Sequence, residues 1–287
     1  MSALEKVYNF LSFEITEPKT YGIFHFVSLA IIVFLTIIIS KNFKYCSEKT
    51  ERKIAFWFWI VLFAFEAYKQ FIYLFDNNDV FSLDYDWNGF PFQLCSSPLY
   101  VLPAIAFLPE GKIREAFVAY YGTFVLLGGV AVCIYPGTVF VETLGIDIHT
   151  MIWHGSQVFL GVFFNLRRFL SENSRNVKKY YLSAVPIFLS FVAVAMILNE
   201  SVYALLSAKG ADDTFNMFYI SPHFDCVFPI LDTIQAHAPY LVFLLSYLAV
   251  LCLFSFAVVF VEWFLAKKFS ERRASLTDDS TKAATEI

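Results

Sequence analysis

The sequence predicts an all-α polytopic membrane helix bundle of seven transmembrane helices, with its N-terminus outside and its C-terminus in the cytosol. Three observations carry that reading. Of 287 residues, 58% are hydrophobic and only 16% charged, far from the roughly 25% charged content of soluble domains. Seven apolar stretches are long enough for the ~20-residue helix that a bilayer requires. The basic residues between those stretches fall overwhelmingly on alternate loops.

The stretches lie at 22–40, 54–75, 90–108, 116–135, 148–166, 180–206 and 238–266, within one transmembrane domain of residues 1–268. Residues 269–287 read as a disordered cytosolic tail, being polar and poor in aromatics. Ahead of the first span, Leu4, Val7, Tyr8, Phe10 and Leu11 recur at helical spacing and suggest a short interfacial helix. Seventeen Lys and Arg fall in the loops after spans one, three and five and in the tail. The opposite loops hold only Lys6, Lys19 and Lys209, and Lys69 alone lies inside a span. Cytosolic loops carry the Lys/Arg excess, which sets the orientation. The outer loops are acidic, and the long one before span seven, with Phe215, Met217, Phe218, Tyr219, Phe224 and Phe228, is apolar enough to fold back as a cap.

With the orientation fixed, the ~1.5 Å rise per residue assigns each intramembrane polar group a depth. His25, Glu66, Lys69, Gln93, Cys95, His149, His154, Asn199 and Glu200 all fall in the outer half, and His223 and His237 in the outer loop. Ionisable groups are costly in hydrocarbon unless they face a bundle interior or wet cavity. One chamber opening outward is therefore expected, above an inner half made of packing alone. Glu66 and Lys69, three residues apart, share a helix face and can neutralise each other.

The most chemically loaded stretch is Phe90, Pro91, Phe92, Gln93, Leu94, Cys95, Ser96, Ser97 and Pro98. Span three is expected to begin near Asn88 or Gly89 with Pro91 in its first turn, placing Cys95 just past that turn. A cysteine acts as a nucleophile only as thiolate and needs a base. His154 lies at nearly its depth, and Gly155 beside it permits close helix approach. His149 and His154 stand five apart, ~140° around a helix, so they are not the same-face pair of a helical zinc motif. No metal or other cofactor is called for. There is no Gly-rich phosphate loop, no G-x-S-x-G and no lysine in span seven for a retinal Schiff base, and nothing supports nucleic-acid binding.

The run from Phe90 to Cys95 resembles the Leu-Pro-Leu-Gln/His-Leu-Cys signature of the YwaF-like bacterial integral membrane proteins. His154-Gly155, the Asn216-Met-Phe-Tyr run in the capping loop and Ala238-Pro239-Tyr240 are similar to that family's other landmarks. The family includes the vertebrate transmembrane protein 164, an ether-phospholipid acyltransferase with a cysteine nucleophile, and is distantly similar to the androgen-induced Thr/His lipid hydrolases. The resemblance implies Cys95 as acyl-accepting nucleophile, His154 as its base, and membrane lipids or lysolipids as substrates. Phe90 in place of leucine, and Ser96-Ser97 where an acidic residue is frequent, depart from the pattern. Gln93 and Asn199 are the amide candidates for oxyanion donors, with Ser96, Glu66, Lys69, His149 and Asn216 supporting the site.

Two other readings are open from the residues. One is a transporter or sensor built on Glu66 and Lys69; the other is a seven-span zinc-dependent lipid hydrolase recruiting His149 with His223, His237 or Asp225. The location expected is a cell membrane for a bacterial source, or an endomembrane for a eukaryotic one.

Overall fold

The computed structural model describes residues 2–76, 81–137, 139–170, 176–211 and 213–285. Arg175, counted above among the basic loop residues, and the outer-loop acids Asp79 and Asp212 lie outside the described residues. The architecture is helical: α1 (Ala3–Leu11), α2 (Ile23–Phe43), α3 (Glu48–Ile72), α4 (Pro98–Phe107), α5 (Lys112–Tyr120), α6 (Leu126–Ile134), α7 (Leu144–Phe169), α8 (Val177–Lys209), α9 (Leu231–His237) and α10 (Tyr240–Thr285). One two-stranded antiparallel ladder pairs Phe75 with Leu83 and Asp76 with Ser82.

Among the described residues five helices are long and apolar enough to cross a membrane: Ile23–Phe43, Glu48–Ile72, Lys112–Ile134, Val177–Lys209 and Tyr240–Arg272. With several such helices the chain is an integral, multi-pass membrane protein. α2 is apolar all round and buries only His25 and Ile32, as expected of a helix facing lipid on most sides. The expected interfacial helix is α1, closed by a capping box in which Ser2 and Glu5 exchange side-chain-to-backbone bonds. α10 runs to Thr285, past the expected end of span seven and into the segment read as a disordered tail.

α7 is the axis. Its 26 residues are buried over most of their length, and it packs against α2, α3, α6 and α10. It carries too many polar groups to count among the apolar helices. A Cβ at Gly155 would stand 2.6 Å from Ile32 Cγ1, so glycine there lets α2 approach α7. Between α5 and α6 the helix widens into a π turn at Tyr121–Val125. Such a turn frees backbone acceptors, and Asn165 Nδ2 donates to the Gly122 carbonyl at 2.6 Å. Any side chain at Gly122 would collide with Asn165 and Tyr180.

Stretch 90–108 departs from the expected continuous helix. Leu94–Ser96 forms a 3-10 turn and only Pro98–Phe107 is α-helical. Pro98 takes the first helical position, where its missing N–H costs nothing, so Cys95 precedes the helix rather than lying inside it. The stretch nevertheless spans the full length of α3. Gln70 Nε2, near the end of α3, donates to the Gly89 carbonyl at 2.7 Å, and Arg52, near its start, donates to the Ala106 and Leu108 carbonyls at 3.1 and 2.5 Å. Seventeen residues of α3 between them cover ~26 Å at ~1.5 Å each. The extended residues before α4 make up the distance that ten helical residues cannot.

The end of the bundle opposite the chamber is not packing alone. Glu51, fully buried, is shared by Arg114 (2.5 Å), Arg167 and Arg168. Arg114 also reaches Glu48 (3.2 Å), and Arg168 reaches Glu115 (3.0 Å). Charges out of water survive only when paired and hydrogen-bonded, and this cluster ties the start of α3 to the start of α5 and the end of α7.

Candidate functional site

At the other end of α3 and α7 a chamber of about 200 Å³ is lined by Glu66, Lys69, Cys95, Ser96, His149, Thr150, Trp153 and His154. Asp86 and Gly89 on one loop and Val139 and Val141 on another form its rim. Six of the nine sequence candidates thus meet in one place: Cys95, His154, Ser96, Glu66, Lys69 and His149.

Cys95 sits in the 3-10 turn ahead of α4, and its carbonyl would otherwise be an orphan in a low-dielectric interior. Two donors from α7 take it: Trp153 Nε1 at 2.7 Å and Gln157 Nε2 at 2.6 Å. Trp153 and Gln157 are four residues apart, hence on one helix face. Cys95 forms no disulfide, and the residue as a whole is half-buried.

His154 is buried, and its Nδ1 lies 2.8 Å from the Thr150 carbonyl. A carbonyl only accepts, so Nδ1 carries the proton and Nε2 keeps its lone pair. That Nε2 is buried without a hydrogen-bond partner. No hydrogen bond joins it to Cys95 among the described residues.

Glu66 Oε1 accepts from Gln70 Nε2 at 2.7 Å and pairs with Lys69 Nζ at 3.0 Å. Its Oε2 stands 3.6 Å from His149 Nε2, and the His149 ring stacks on Trp153 at 5.1 Å between centroids. The expected Glu66–Lys69 ion pair therefore has the His149 imidazole beside it, and all three residues line the chamber with Cys95. Tyr85, in the loop outside, donates to Gln70 Oε1 at 2.7 Å, and burial with the nearby Glu66 and Asp86 charges pushes its phenol up to about 12.

The three amides lie elsewhere and act otherwise. Gln93 Nε2 donates to the Asn216 carbonyl at 2.9 Å and its Oε1 accepts from Phe218 N–H at 2.7 Å. Asn199 makes the matching pair of bonds with Met217, at 3.0 and 2.7 Å. Asn216 binds the Asp225 carbonyl and the Ser221 N–H. Phe218 and Tyr219 stand at φ of 59° and 56°, a left-handed conformation that costs bulky residues energy. Both amide ends of Gln93 and Asn199 thus bond to that loop, and neither residue is among those that line the chamber. The capping loop does fold back on the bundle, with Phe215, Met217 and Phe218 buried.

The histidines divide as well. His25 Nε2 bonds to the Cys133 carbonyl at 2.9 Å, His223 stacks on Tyr203 at 3.6 Å, and His237 Nδ1 lies 2.9 Å from the Thr233 carbonyl. Only His149 and His154 reach the chamber. Among the described residues no three His, Cys, Asp or Glu side chains gather closely enough to hold a metal ion.

Sequence reasoning passed over Trp153, Gln157 and Gln70. The first two were visible as a polar pair at i, i+4 on the face of His154; nothing in the sequence said which carbonyl they serve. No family model, no curated protein and no solved structure matches this chain.

Proposed function

We propose that the chain is a membrane acyltransferase or acyl hydrolase in which Cys95 is the nucleophile and His154 its general base. The observation that carries this reading is the meeting, in one chamber, of a thiol at the break in a crossing segment with a buried imidazole whose basic nitrogen is unpartnered. Non-helical backbone at membrane depth is tolerated where it lines a cavity, and strained or broken elements concentrate at functional sites. The resemblance to YwaF-like proteins points the same way.

In the first step His154 Nε2 takes the thiol proton, directly once substrate closes the site or through one water. The sulfur attacks an ester carbonyl, a C–S bond forms, and the C–O bond breaks as the imidazolium returns the proton to the leaving alcohol. In the second step a lysolipid hydroxyl or a water gives its proton to His154 and attacks the thioester, and the thiol is restored. Lys69, which lines the chamber with Cys95, supplies positive charge for the developing oxyanion. The small chamber takes the ester region, leaving the acyl chain to run between the apolar helices. We also assign seven crossings, α7 and stretch 90–108 included, with the chamber in the outer leaflet and the arginine cluster at the cytosolic face, because that arrangement follows the loop charges.

The Glu66–Lys69–His149 trio supports a second reading, a proton-coupled transporter or sensor. Acyl transfer from a short-chain ester to a lysolipid, assayed on the full chain in lipid nanodiscs, separates the two. The acyl reading expects turnover that Cys95→Ser and His154→Gln each lower by at least a hundredfold. Turnover unaffected by Cys95→Ser yet abolished by Glu66→Gln would transfer the case to the Glu66–Lys69–His149 group.

A further inference from the structure

At the arginine end of the bundle a second cavity, a groove of about 470 Å³, lies between α2, α7 and α10. Its walls are apolar, with Ile37, Leu166, Leu265 and Phe269 prominent, and its rim carries Lys41 and Lys44. Leu265 and Phe269 are exposed, as are Phe34 and Ile38 nearby on α2, so in a membrane the groove opens sideways into lipid. Neither lysine is paired with a carboxylate among the described residues. Lys44 Nζ instead lies 5.4 Å from the ring centroids of both Tyr45 and Phe269. Beside them the Ser40 hydroxyl is buried without a partner. The groove's one acid, Glu262, accepts from Asn165 Nδ2 and sits seven residues before Phe269, ~10 Å deeper along α10.

We propose that this groove binds a bilayer phospholipid with an anionic headgroup, its phosphate on Lys41 and Lys44 and one acyl chain along Leu166, Leu265 and Phe269. Charge decides the occupant. Two unpaired cations at the end of a lipid-facing groove match a phosphate that carries a net negative charge, and basic pockets between membrane helices recognise such headgroups. A zwitterionic headgroup brings a cation that these lysines repel. The depth of Glu262 keeps its carboxyl under the acyl chain and away from the phosphate. The site is independent of the chamber and of the acyl-transfer reading.

Native mass spectrometry of the purified full chain, titrated in detergent with phosphatidylglycerol and with phosphatidylcholine, tests it. The expected result is retention of phosphatidylglycerol about tenfold tighter or more, from two lysines near a phosphate. The Lys41→Gln/Lys44→Gln variant loses that preference and keeps its phosphatidylcholine retention, and Leu265→Trp, which fills the groove from an exposed position, weakens phosphatidylglycerol binding. Equal retention of the two lipids by the unaltered chain overturns the proposal. So does a preference that survives loss of both lysines, which would mean that they only snorkel toward water, or one indifferent to Leu265→Trp.

Discussion

Trp153 Nε1 donates to the carbonyl of Cys95 at 2.7 Å, so the indole beside His154 fixes the backbone of the residue whose thiol faces the same chamber. Gln157 holds the same oxygen from one turn further on. Exchanging Trp153 for phenylalanine removes one donor and part of a buried ring system. The lost hydrogen bond is worth ~1 kcal/mol net, and the cavity left behind adds to the cost. Acyl-transfer turnover is expected to fall about tenfold or more, because small misplacements of a reacting group are costly. The Trp153→Phe/Gln157→Leu double variant loses more than either alone, measured by turnover alongside thermal unfolding.

Gln93→Leu tests the anchoring of the capping loop. It strips both the Phe218 N–H and the Asn216 carbonyl of their partner, each at ~1–3 kcal/mol when left buried and unsatisfied. Hydrogen exchange at residues 215–221 is expected to accelerate strongly, while the environment of Cys95 Sγ changes less. Unchanged protection in that loop would mean that Gln93 does not hold it.

Glu51→Ala separates stability from chemistry. The shared carboxylate is removed from Arg114, Arg167 and Arg168, and breaking a buried ion network costs ~3–5 kcal/mol. A large fall in yield and melting temperature is expected. Glu51 lies fifteen residues before Glu66, ~22 Å along α3, so turnover per folded molecule stays near that of the unaltered chain.

Two loop phenols give a pH dependence. Burial pushes Tyr85 and Tyr219 up to about 12, above the ~10 of an unfolded tyrosine. Between those values the folded state binds more protons than the unfolded one, so stability is intact below pH 10 and falls as pH rises through 12. The Tyr85→Phe/Tyr219→Phe variant is expected to show a shallower decline in melting temperature across that window.

How much of this was legible in the sequence follows the physics of each signal. Apolar length and loop charge are local properties, and they located the membrane character, the five long apolar helices and the grouping of Cys95 with His154, Glu66, Lys69 and His149. The helix expected to begin near Asn88 or Gly89 begins instead at Pro98, because a proline at the first position and one in an interior turn look alike in an apolar run. Gln93 and Asn199 are legible in the sequence as amides at membrane depth, but an amide's partner is set by tertiary contact, here with Met217 and Phe218, which no spacing rule reports. The same holds for Glu51, whose three arginines come from stretches 63, 116 and 117 residues away. Loop charges alone had suggested only which side of the membrane those arginines occupy.

The central claim is that Cys95 carries an acyl group in turnover. Membranes containing the full chain, treated with a chloroacetamide probe and in parallel profiled for lipids with and without Cys95→Ser, test it most directly. The account predicts probe attached at Cys95, blocked by prior incubation with ester substrate, and a lipid profile that shifts on loss of the thiol. Absence of label at Cys95 together with an unchanged lipid profile would contradict it.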